Sequence, residues 1–289
     1  MRHRWIHAWL MLLPAVTLLL AFTHYPAALT IINSFWSTGH GDRHPVFVGL
    51  GNYQRLIGDD VFWQVLGNNL VYAIITIPLS VGIAISMALF VQRKISGRGF
   101  LRMAYFTPTV LPLIAVANIW LFFYTPGFGL IDQIRGIFGL AQQNWMGQPE
   151  TALYTMMAVT VWKEAGFFMI FYLAALQSIS PNLYEAAAIE GASRWAVFRR
   201  ITFPLLMPTT LFVSINAVIN AFRLIDHIFV MTGGGPNNAT SLLLYYIYEV
   251  AFREWDTAYG ATLTVVMLLM LSLLAIGQFF FFDRKVHYK

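Results

Sequence analysis

Polar side chains recur at helical spacing within one of the apolar stretches of this sequence. Four of them are separated by four, three and four residues: Asn216, Asn220, Arg223 and His227. An α-helix would place them on one face, and contact between that face and lipid would leave polar groups without hydrogen-bond partners. Two interpretations remain open. The face lines a path for a hydroxylated solute, which amide and guanidinium groups bind well, or it packs between helices with Arg223 paired to Asp226.

Two further ionisable residues, Lys163 and Glu164, lie near the middle of another apolar stretch. Ionisable groups inside a membrane cost roughly 2.5–3.5 kcal/mol on insertion scales and usually mark function. Adjacent helical residues do not face each other, so we expect each to have its own partner on another helix, including interhelical or intersubunit salt bridges. Adding Lys163 and Asp226 to the four polar residues gives six residues that we term the candidate solute path: Lys163, Asn216, Asn220, Arg223, Asp226 and His227.

The composition indicates that membrane-spanning helices position these residues. The chain has 289 residues, of which 58% are hydrophobic and 11% are charged, whereas a soluble domain carries about 25% charged residues. Long apolar stretches predict one all-α integral membrane domain over residues 1–289, because about 20 residues cross a bilayer as a helix. The predicted spans are about 9–32, 66–91, 101–125, 151–175, 206–231 and 258–282, the first interpreted as an uncleaved helix rather than a signal peptide.

The basic residues are distributed unevenly between the two sides of these spans. If the N-terminus is cytoplasmic, the inside segments hold twelve of the 18 Lys and Arg residues: Arg2, Arg4, Arg93, Lys94, Arg98, Arg102, Arg194, Arg199, Arg200, Arg284, Lys285 and Lys289. The outside segments hold four: Arg43, Arg55, Arg135 and Arg253. The positive-inside rule therefore predicts that both termini are cytoplasmic. The net charge of +5 is then mainly an orientation signal, not a sign of nucleic-acid binding.

Other chemistries have little support in the sequence. There is no cysteine, and His40 and His44 around Asp42 lack a helical pattern, so we expect no metal site. We find no nucleophile–base pair and no H-E-x-x-H motif, which argues against a membrane enzyme. An ion-coupled secondary transporter of a polar solute remains the alternative, although Glu164 and Asp226 are the only carboxylates available within the spans.

One predicted cytoplasmic connection, about 177–205, is unusually long and structured. Ser180 is a suitable N-cap, residues 183–190 are Ala-rich and favour a helix, and Gly191 permits a turn. Ser193 can then cap a second short helix. Small Ala side chains allow another backbone to approach closely, which favours docking of a partner. The Arg residues of the second helix favour the alternative, an amphipathic helix resting on lipid headgroups.

The same connection carries a recognisable motif. It reads E-A-A, three residues, G, nine residues, then I-x-x-P: Glu185, Ala186, Ala187, Gly191, Ile201 and Pro204. This pattern resembles the coupling loop in membrane subunits of bacterial binding-protein-dependent ABC importers. Glu190 stands where that family often has Asp, and Phe203 where it often has Leu. Residues 48–53 and 232–236 further resemble the sugar-importing branch, which includes the maltose and glycerol-3-phosphate systems, so the resemblance covers essentially the whole chain.

The resemblance implies a type I importer permease fold in the bacterial inner membrane. It also implies a second homologous permease subunit, two cytoplasmic ATPase subunits and a periplasmic or lipid-anchored solute-binding protein. The expected ATPase-coupling residues are Glu185, Ala186, Ala187, Glu190, Gly191 and Ala192. Because the sequence contains no G-x-x-x-x-G-K-[ST] phosphate loop, we expect no cofactor on this chain, and ATP to be bound by its partners. The expected solute is a sugar, a polyol or a glycerol phosphate.

Overall fold

A computed structural model of the chain describes residues 2–39, 44–93 and 96–283. Among the basic residues counted above, five lie outside these ranges: Arg43, Lys94, Arg284, Lys285 and Lys289. His40 and Asp42, considered above as metal ligands, also lie outside the described residues. The orientation of the termini therefore remains a prediction.

The described chain is almost entirely helical. Its α-helices are α1 (Arg2–Leu19), α2 (Tyr25–Asn33), α3 (Gly51–Ile57), α4 (Asp60–Gln92), α5 (Arg98–Val110), α6 (Leu113–Phe123), α7 (Leu130–Ile137), α8 (Pro149–Ser178), α9 (Pro181–Ile189), α10 (Arg194–Val197), α11 (Phe203–Leu205), α12 (Met207–Arg223), α13 (Asp226–Met231), α14 (Leu243–Tyr248) and α15 (Thr257–Asp283). Short π-helical turns follow α1, α10 and α14 at Leu20–His24, Phe198–Thr202 and Glu249–Arg253.

Among the described residues, five helical segments are long and apolar enough to cross a membrane: Trp9–Asn33, Asp60–Gln92, Pro149–Ser178, Met207–Met231 and Thr257–Phe280. The helix pair α5 and α6 provides a sixth if it counts as one broken span. These helices confirm the predicted all-α membrane protein of about six spans. Each lies over one of the apolar stretches of the sequence.

The third stretch, predicted as a continuous span over 101–125, is not one straight helix. Helix α5 ends at Val110 and α6 begins at Leu113, with a bend of 102° between them. Leu111 at the break is extended, with φ −76° and ψ 136°. Pro112 explains this conformation, because the residue before a proline is sterically disfavoured in the helical region.

The chain divides into two compact units, the first comprising Met1–Asp60 and Tyr246–Met270. A polar cluster joins its helices: the Asp59 carboxylate accepts hydrogen bonds from Tyr246 at 2.6 Å and Tyr259 at 2.5 Å. Arg55 forms an ion pair with Asp256 at 2.6 Å. Burial works to raise the pKa of the Asp256 carboxyl, but hydrogen bonds, including the one from Arg55, outweigh it and hold that pKa below its usual value.

The second unit comprises Val61–Tyr245 and Leu271–Lys289. Its core is formed by α4, α8 and α12, and small residues on α4 and α12 let these helices approach closely. The buried core includes Ala84, Ala88, Phe168, Tyr172, Leu206 and Ala217. Both candidate functional regions belong to this unit.

Gly166 on α8 provides a test of this packing. A Cβ atom there would overlap the backbone carbonyl oxygen of Tyr105 on α5, which cannot move aside as a flexible side chain would. We expect Gly166→Ala to lower the free energy of unfolding by about 1–3 kcal/mol, the usual cost of overpacking. The measurement is SDS-induced unfolding of the purified chain in mixed micelles.

Gly67→Ala on α4 is the matched control. Gly67 is exposed within a helix, and an added Cβ meets nothing within 4 Å. This change should be neutral or stabilising by up to about 1 kcal/mol, since Ala has the higher helix propensity. Equal effects of the two substitutions would contradict a close contact between α5 and α8.

Candidate functional site

Helix α9 and the turn after it follow local sequence rules. Ser180 is extended and Pro181 begins the helix, as predicted, although the Ser180 side chain makes no capping hydrogen bond. At the other end Gly191 has φ +68°, a left-handed conformation that favours glycine. The amide of Ala192 then donates to the carbonyl of Ala187 at 2.9 Å. Ser193 caps α10 by accepting a hydrogen bond from the amide of Ala196 at 3.3 Å, as expected.

The expected ATPase-coupling residues do not all lie on one surface. Five of them are exposed: Glu185, Ala186, Glu190, Gly191 and Ala192. Ala187 is buried, with 5% of its surface exposed, and packs α9 onto the rest of its unit. The helix thus presents one face outward and uses the opposite face to hold its position.

Ile189 is a prominent member of this outward face that the sequence analysis missed. Its side chain is 88% exposed, although it is large and apolar. It lies four residues after Glu185, so the two residues share the outward face of α9. The sequence signal that could have identified Ile189 is its position four residues after the acidic Glu185. We term Glu185, Ala186, Ile189 and Glu190 the docking face.

The polar stripe predicted on the fifth span is interrupted. Helix α12 ends at Arg223, and Leu224 is extended with φ −78° and ψ 113° before α13 begins at Asp226. Asn216, Asn220 and Arg223 therefore keep their helical spacing. Helical register is lost across Leu224, so His227 does not continue their face.

His227 lies in the protein interior instead. It is 0% exposed, and its Nε2 lies 3.1 Å from the hydroxyl of Tyr72. That hydroxyl also lies 2.6 Å from Oγ1 of Thr160. This buried chain joins α4, α8 and α13, so the packing interpretation holds for His227. Tyr72 and Thr160 were not identified from the sequence, because neither carries a formal charge.

Arg223 and Asp226 do not form the i, i+3 pair considered above. The Arg223 side chain is exposed and Asp226 is half-buried. No ion pair joins them, although both residues are described by the structure. The break at Leu224 removes the helical geometry on which such a pair depends. The guanidinium group of Arg223 is therefore available to another molecule.

Lys163 and Glu164 each have a partner on another helix, as expected. The Lys163 ammonium donates to the carbonyls of Pro108 and Leu111 at 2.9 and 2.6 Å. Glu164 accepts a hydrogen bond from the amide of Asn220 at 2.8 Å. Within the described chain these partners are carbonyls and an amide, and no interhelical salt bridge is formed. An intersubunit salt bridge stays a prediction.

The Lys163 contacts explain how the bent helix pair is stabilised. A helix end leaves carbonyl groups without intrahelical partners, and the break after Val110 creates such an end at membrane depth. A cation near a helix C-terminus is also favoured by the helix dipole.

Asn69 has a similar role: it donates to the carbonyl of Ala221 and accepts from the amide of Leu243. Asn69 was missed, although an Asn pair in an apolar stretch was a visible signal.

The candidate solute path is thus divided by the structure. Asn216 is half-buried and bonds within its own helix, to the carbonyl of Phe212 at 2.8 Å. Lys163 and Asn220 are half-buried and partnered across helices, whereas Arg223 is exposed. Arg223 is therefore the most accessible hydrogen-bond donor of the path in this structure.

Known proteins are similar to this chain over most of its length. Residues 77–288 match the family described as binding-protein-dependent transport system inner membrane component. The trehalose/maltose transport system permease protein MalF of Thermococcus litoralis is 35% identical over 94% of this chain and 93% of its own length. The lactose transport system permease protein LacF of Rhizobium radiobacter is 33% identical over 95% of this chain and 93% of its own.

A solved structure shares the fold. The chain aligns to a bacterial alginate ABC transporter in complex with an alginate pentasaccharide-bound periplasmic protein, with a TM-score of 0.85. The alignment covers 96% of this chain and 93% of that one, at 22% identity. The expected type I importer permease fold is therefore confirmed.

The hydrogen bond between Glu164 and Asn220 can be measured with a double-mutant cycle. We expect Glu164→Ala and Asn220→Ala to be coupled by about 1 kcal/mol in the free energy of unfolding, because cycles across membrane helices reach about 0.6 kcal/mol on average and 1.7 at most. SDS-induced unfolding provides the measurement. Pairing Glu164→Ala with Asn216→Ala should be additive within about 0.5 kcal/mol; equal coupling in both cycles would contradict a direct contact.

Proposed function

The chain belongs to the family of inner membrane components of binding-protein-dependent transport systems, and from this premise we propose that it is the membrane-spanning subunit of an ATP-driven importer for a sugar or similar polyhydroxylated solute. The exposed docking face of α9, at the motif spacing of the coupling loop, is the observation that carries the proposal. This assignment favours an importer over the ion-coupled secondary transporter considered above.

The docking face supports a contact with a separate ATPase. Ala186 allows a partner backbone to approach closely, and Ile189 provides an exposed apolar anchor of the kind that fills a pocket in a partner. Glu185 and Glu190 supply charges that would set the orientation of docking. ATP would be bound by the partner subunits, because this sequence has no phosphate loop.

The remaining partners follow from the proposed function. A second homologous permease would complete the pathway, and a periplasmic or lipid-anchored binding protein would deliver the solute. The alginate transporter is in complex with an alginate-bound periplasmic protein, which supports this proposal. The docking face lies on the cytoplasmic side in this proposal, which also places both termini there. ATP-driven closure of two ATPase subunits would move α9 and expose the solute path alternately to the two sides.

We assign solute recognition to the part of the candidate solute path that remains accessible. Arg223 presents an unpaired guanidinium, and Asn220 and Asn216 lie one and two helical turns before it, respectively, on α12. Planar amide and guanidinium groups bind hydroxyl and phosphate oxygens with good geometry. Asp226 adds a half-buried carboxylate, while Lys163 on α8 holds the bend between α5 and α6. His227 lies behind the path, in the core.

Gly191→Pro tests the coupling role of α9. Proline cannot adopt the φ of +68° found here, and it removes the Gly191 amide that donates to the carbonyl of Ala188. We expect solute-stimulated ATPase activity to fall by roughly 5- to 150-fold, the range typical of coupling between sites. The variant is purified in mild detergent, and mass spectrometry identifies the subunits that co-purify.

Gly139→Pro is a closely matched control. Gly139 has φ +69°, and its amide donates to the carbonyl of Gly136. An added Cβ meets nothing within 4 Å at either glycine, so the backbone penalties are similar but Gly139 is remote in sequence from α9. Retained coupling in Gly191→Pro, or recovery of the wild-type chain without any ATPase, would overturn the proposed function.

Arg223→Ala tests solute recognition. Loss of a charge-assisted hydrogen bond costs about 1.5–3 kcal/mol, so we expect KM to rise by roughly 10- to 100-fold. The measurement is uptake of radiolabelled maltose, lactose or glycerol 3-phosphate into proteoliposomes that contain the co-purified complex. Arg223→Lys keeps the charge but loses the planar fork and should give an intermediate KM. If Arg223→Ala instead prevents co-purification of the other subunits, Arg223 has a structural role.

A further inference from the structure

Two adjoining hollows open where the end of α4 meets the segment that carries α9 and α10. The first has a volume of about 490 Å³ and is lined by Arg93, Tyr184, Ala188, Ala192, Arg194 and Val197. The second, of about 550 Å³, shares three of these residues with the first: Arg93, Arg194 and Val197. We term the second hollow the α4 groove.

The shared rim of the hollows is positively charged. The side chains of Arg93 and Arg194 are exposed, and neither takes part in an ion pair within the described chain. Glu185 and Glu190 on the neighbouring α9 do not line either hollow. Two arginines at one rim, without a carboxylate between them, form a favourable site for a phosphate group, which a guanidinium binds through paired hydrogen bonds.

Away from this rim the lining of the α4 groove is mainly apolar, with Ser86, Gln92 and Thr202 as its polar members, and the groove follows one face of α4. It passes Leu89 and Ser86 and reaches Gly82, and these residues have helical spacing. Eleven residues from Arg93 to Gly82 correspond to about 16 Å along a helix, roughly half the hydrocarbon thickness of a bilayer. Val197 and Phe198 line the groove from the other segment. Its extent therefore matches one leaflet.

An exposed tryptophan lies beside the arginine rim of the groove. Trp195 lines the α4 groove, is 69% exposed and stacks on Phe198, with ring centroids 5.6 Å apart. Tryptophan favours the headgroup region, because its indole ring has an apolar body and one N–H donor. The arginine rim and the indole lie together at the same end of the groove.

We propose that the α4 groove binds an anionic phospholipid. The phosphate lies between Arg93 and Arg194, and one acyl chain extends along α4 towards Gly82. A lipid fits both parts of the groove, whereas an acidic surface of a soluble partner would engage only the charged rim. The bound lipid bridges α4 and the segment that carries the docking face. It thereby stabilises the position of α9 from the membrane side.

Lipid binding is tested on the full chain, with the subunits that co-purify, in nanodiscs of phosphatidylcholine containing phosphatidylglycerol. The complex is then released from the nanodiscs, and native mass spectrometry measures how much phosphatidylglycerol it retains. The fraction of phosphatidylglycerol in the nanodiscs is varied between samples. An arginine near a membrane surface contributes roughly fivefold to the binding of anionic lipid, so Arg93→Gln with Arg194→Gln should weaken retention about 25-fold. Competition with soluble glycerol 3-phosphate distinguishes a headgroup-only site, because it should not displace a lipid whose chain is also bound.

Two further variants separate the groove from general surface charge. Arg199→Gln with Arg200→Gln removes the same charge from exposed residues of the same segment that do not line the groove, and it should weaken retention clearly less than Arg93→Gln with Arg194→Gln does. Gly82→Phe fills the apolar end without altering charge, and an added Cβ there meets nothing within 4 Å. It should reduce retention of phosphatidylglycerol while the chain remains folded.

The outcomes decide between the alternatives. Unchanged retention in both Arg93→Gln with Arg194→Gln and Gly82→Phe overturns the proposal, as does equal loss in the Arg199 and Arg200 control. Loss of a co-purifying ATPase with unchanged lipid retention would instead assign the arginine rim to that protein. Because lipid retention is measured separately from ATPase coupling, failure of this inference leaves the Gly191→Pro result unaffected.

Discussion

The hydrocarbon core of a bilayer contains no water, so backbone groups freed by a break in a membrane helix must find partners within the protein. This constraint accounts for the placement of the polar residues in the second unit. Lys163 binds the carbonyls of Pro108 and Leu111 at the bend of α5 and α6. Asn69 binds the carbonyl of Ala221 near the end of α12 and the amide of Leu243 at the start of α14. Some polar side chains that the sequence analysis treated as a separate site therefore also stabilise irregular backbone.

The supporting residues and the accessible polar groups are adjacent on the same helix, which supports the proposed solute site. Glu164 holds Asn220 on α12, while Arg223 three residues later is exposed. The same helix is therefore anchored at one position and open at another. A site built on such anchored helices keeps its donors in place, which is what selective binding of a hydroxylated solute requires.

The segment from α9 to α10 has a comparable division of roles. Ala187 faces inward and holds α9 against its unit, whereas Ile189 faces outward with an exposed apolar side chain. The turn at Gly191 then directs the chain into α10, where Arg194 and Trp195 face the α4 groove. The two interpretations that the sequence left open, partner docking and contact with lipid headgroups, are compatible because they apply to successive helices. In the proposed transporter one short segment would contact both the ATPase and the membrane.

The sequence by itself determined the fold class, the approximate spans, the α9–α10 hairpin and the family, because these depend on local hydrophobicity, on capping and turn residues, and on a motif of fixed spacing. It did not determine that α5 and α6 are separated by a bend of 102° next to Pro112, since proline is often tolerated within a membrane helix. It also grouped His227 with Asn216, Asn220 and Arg223, because helical spacing was assumed to continue through Leu224. Only the tertiary structure decided which polar groups are buried and which are accessible, because burial depends on contacts between segments far apart in sequence, such as Tyr72 with His227.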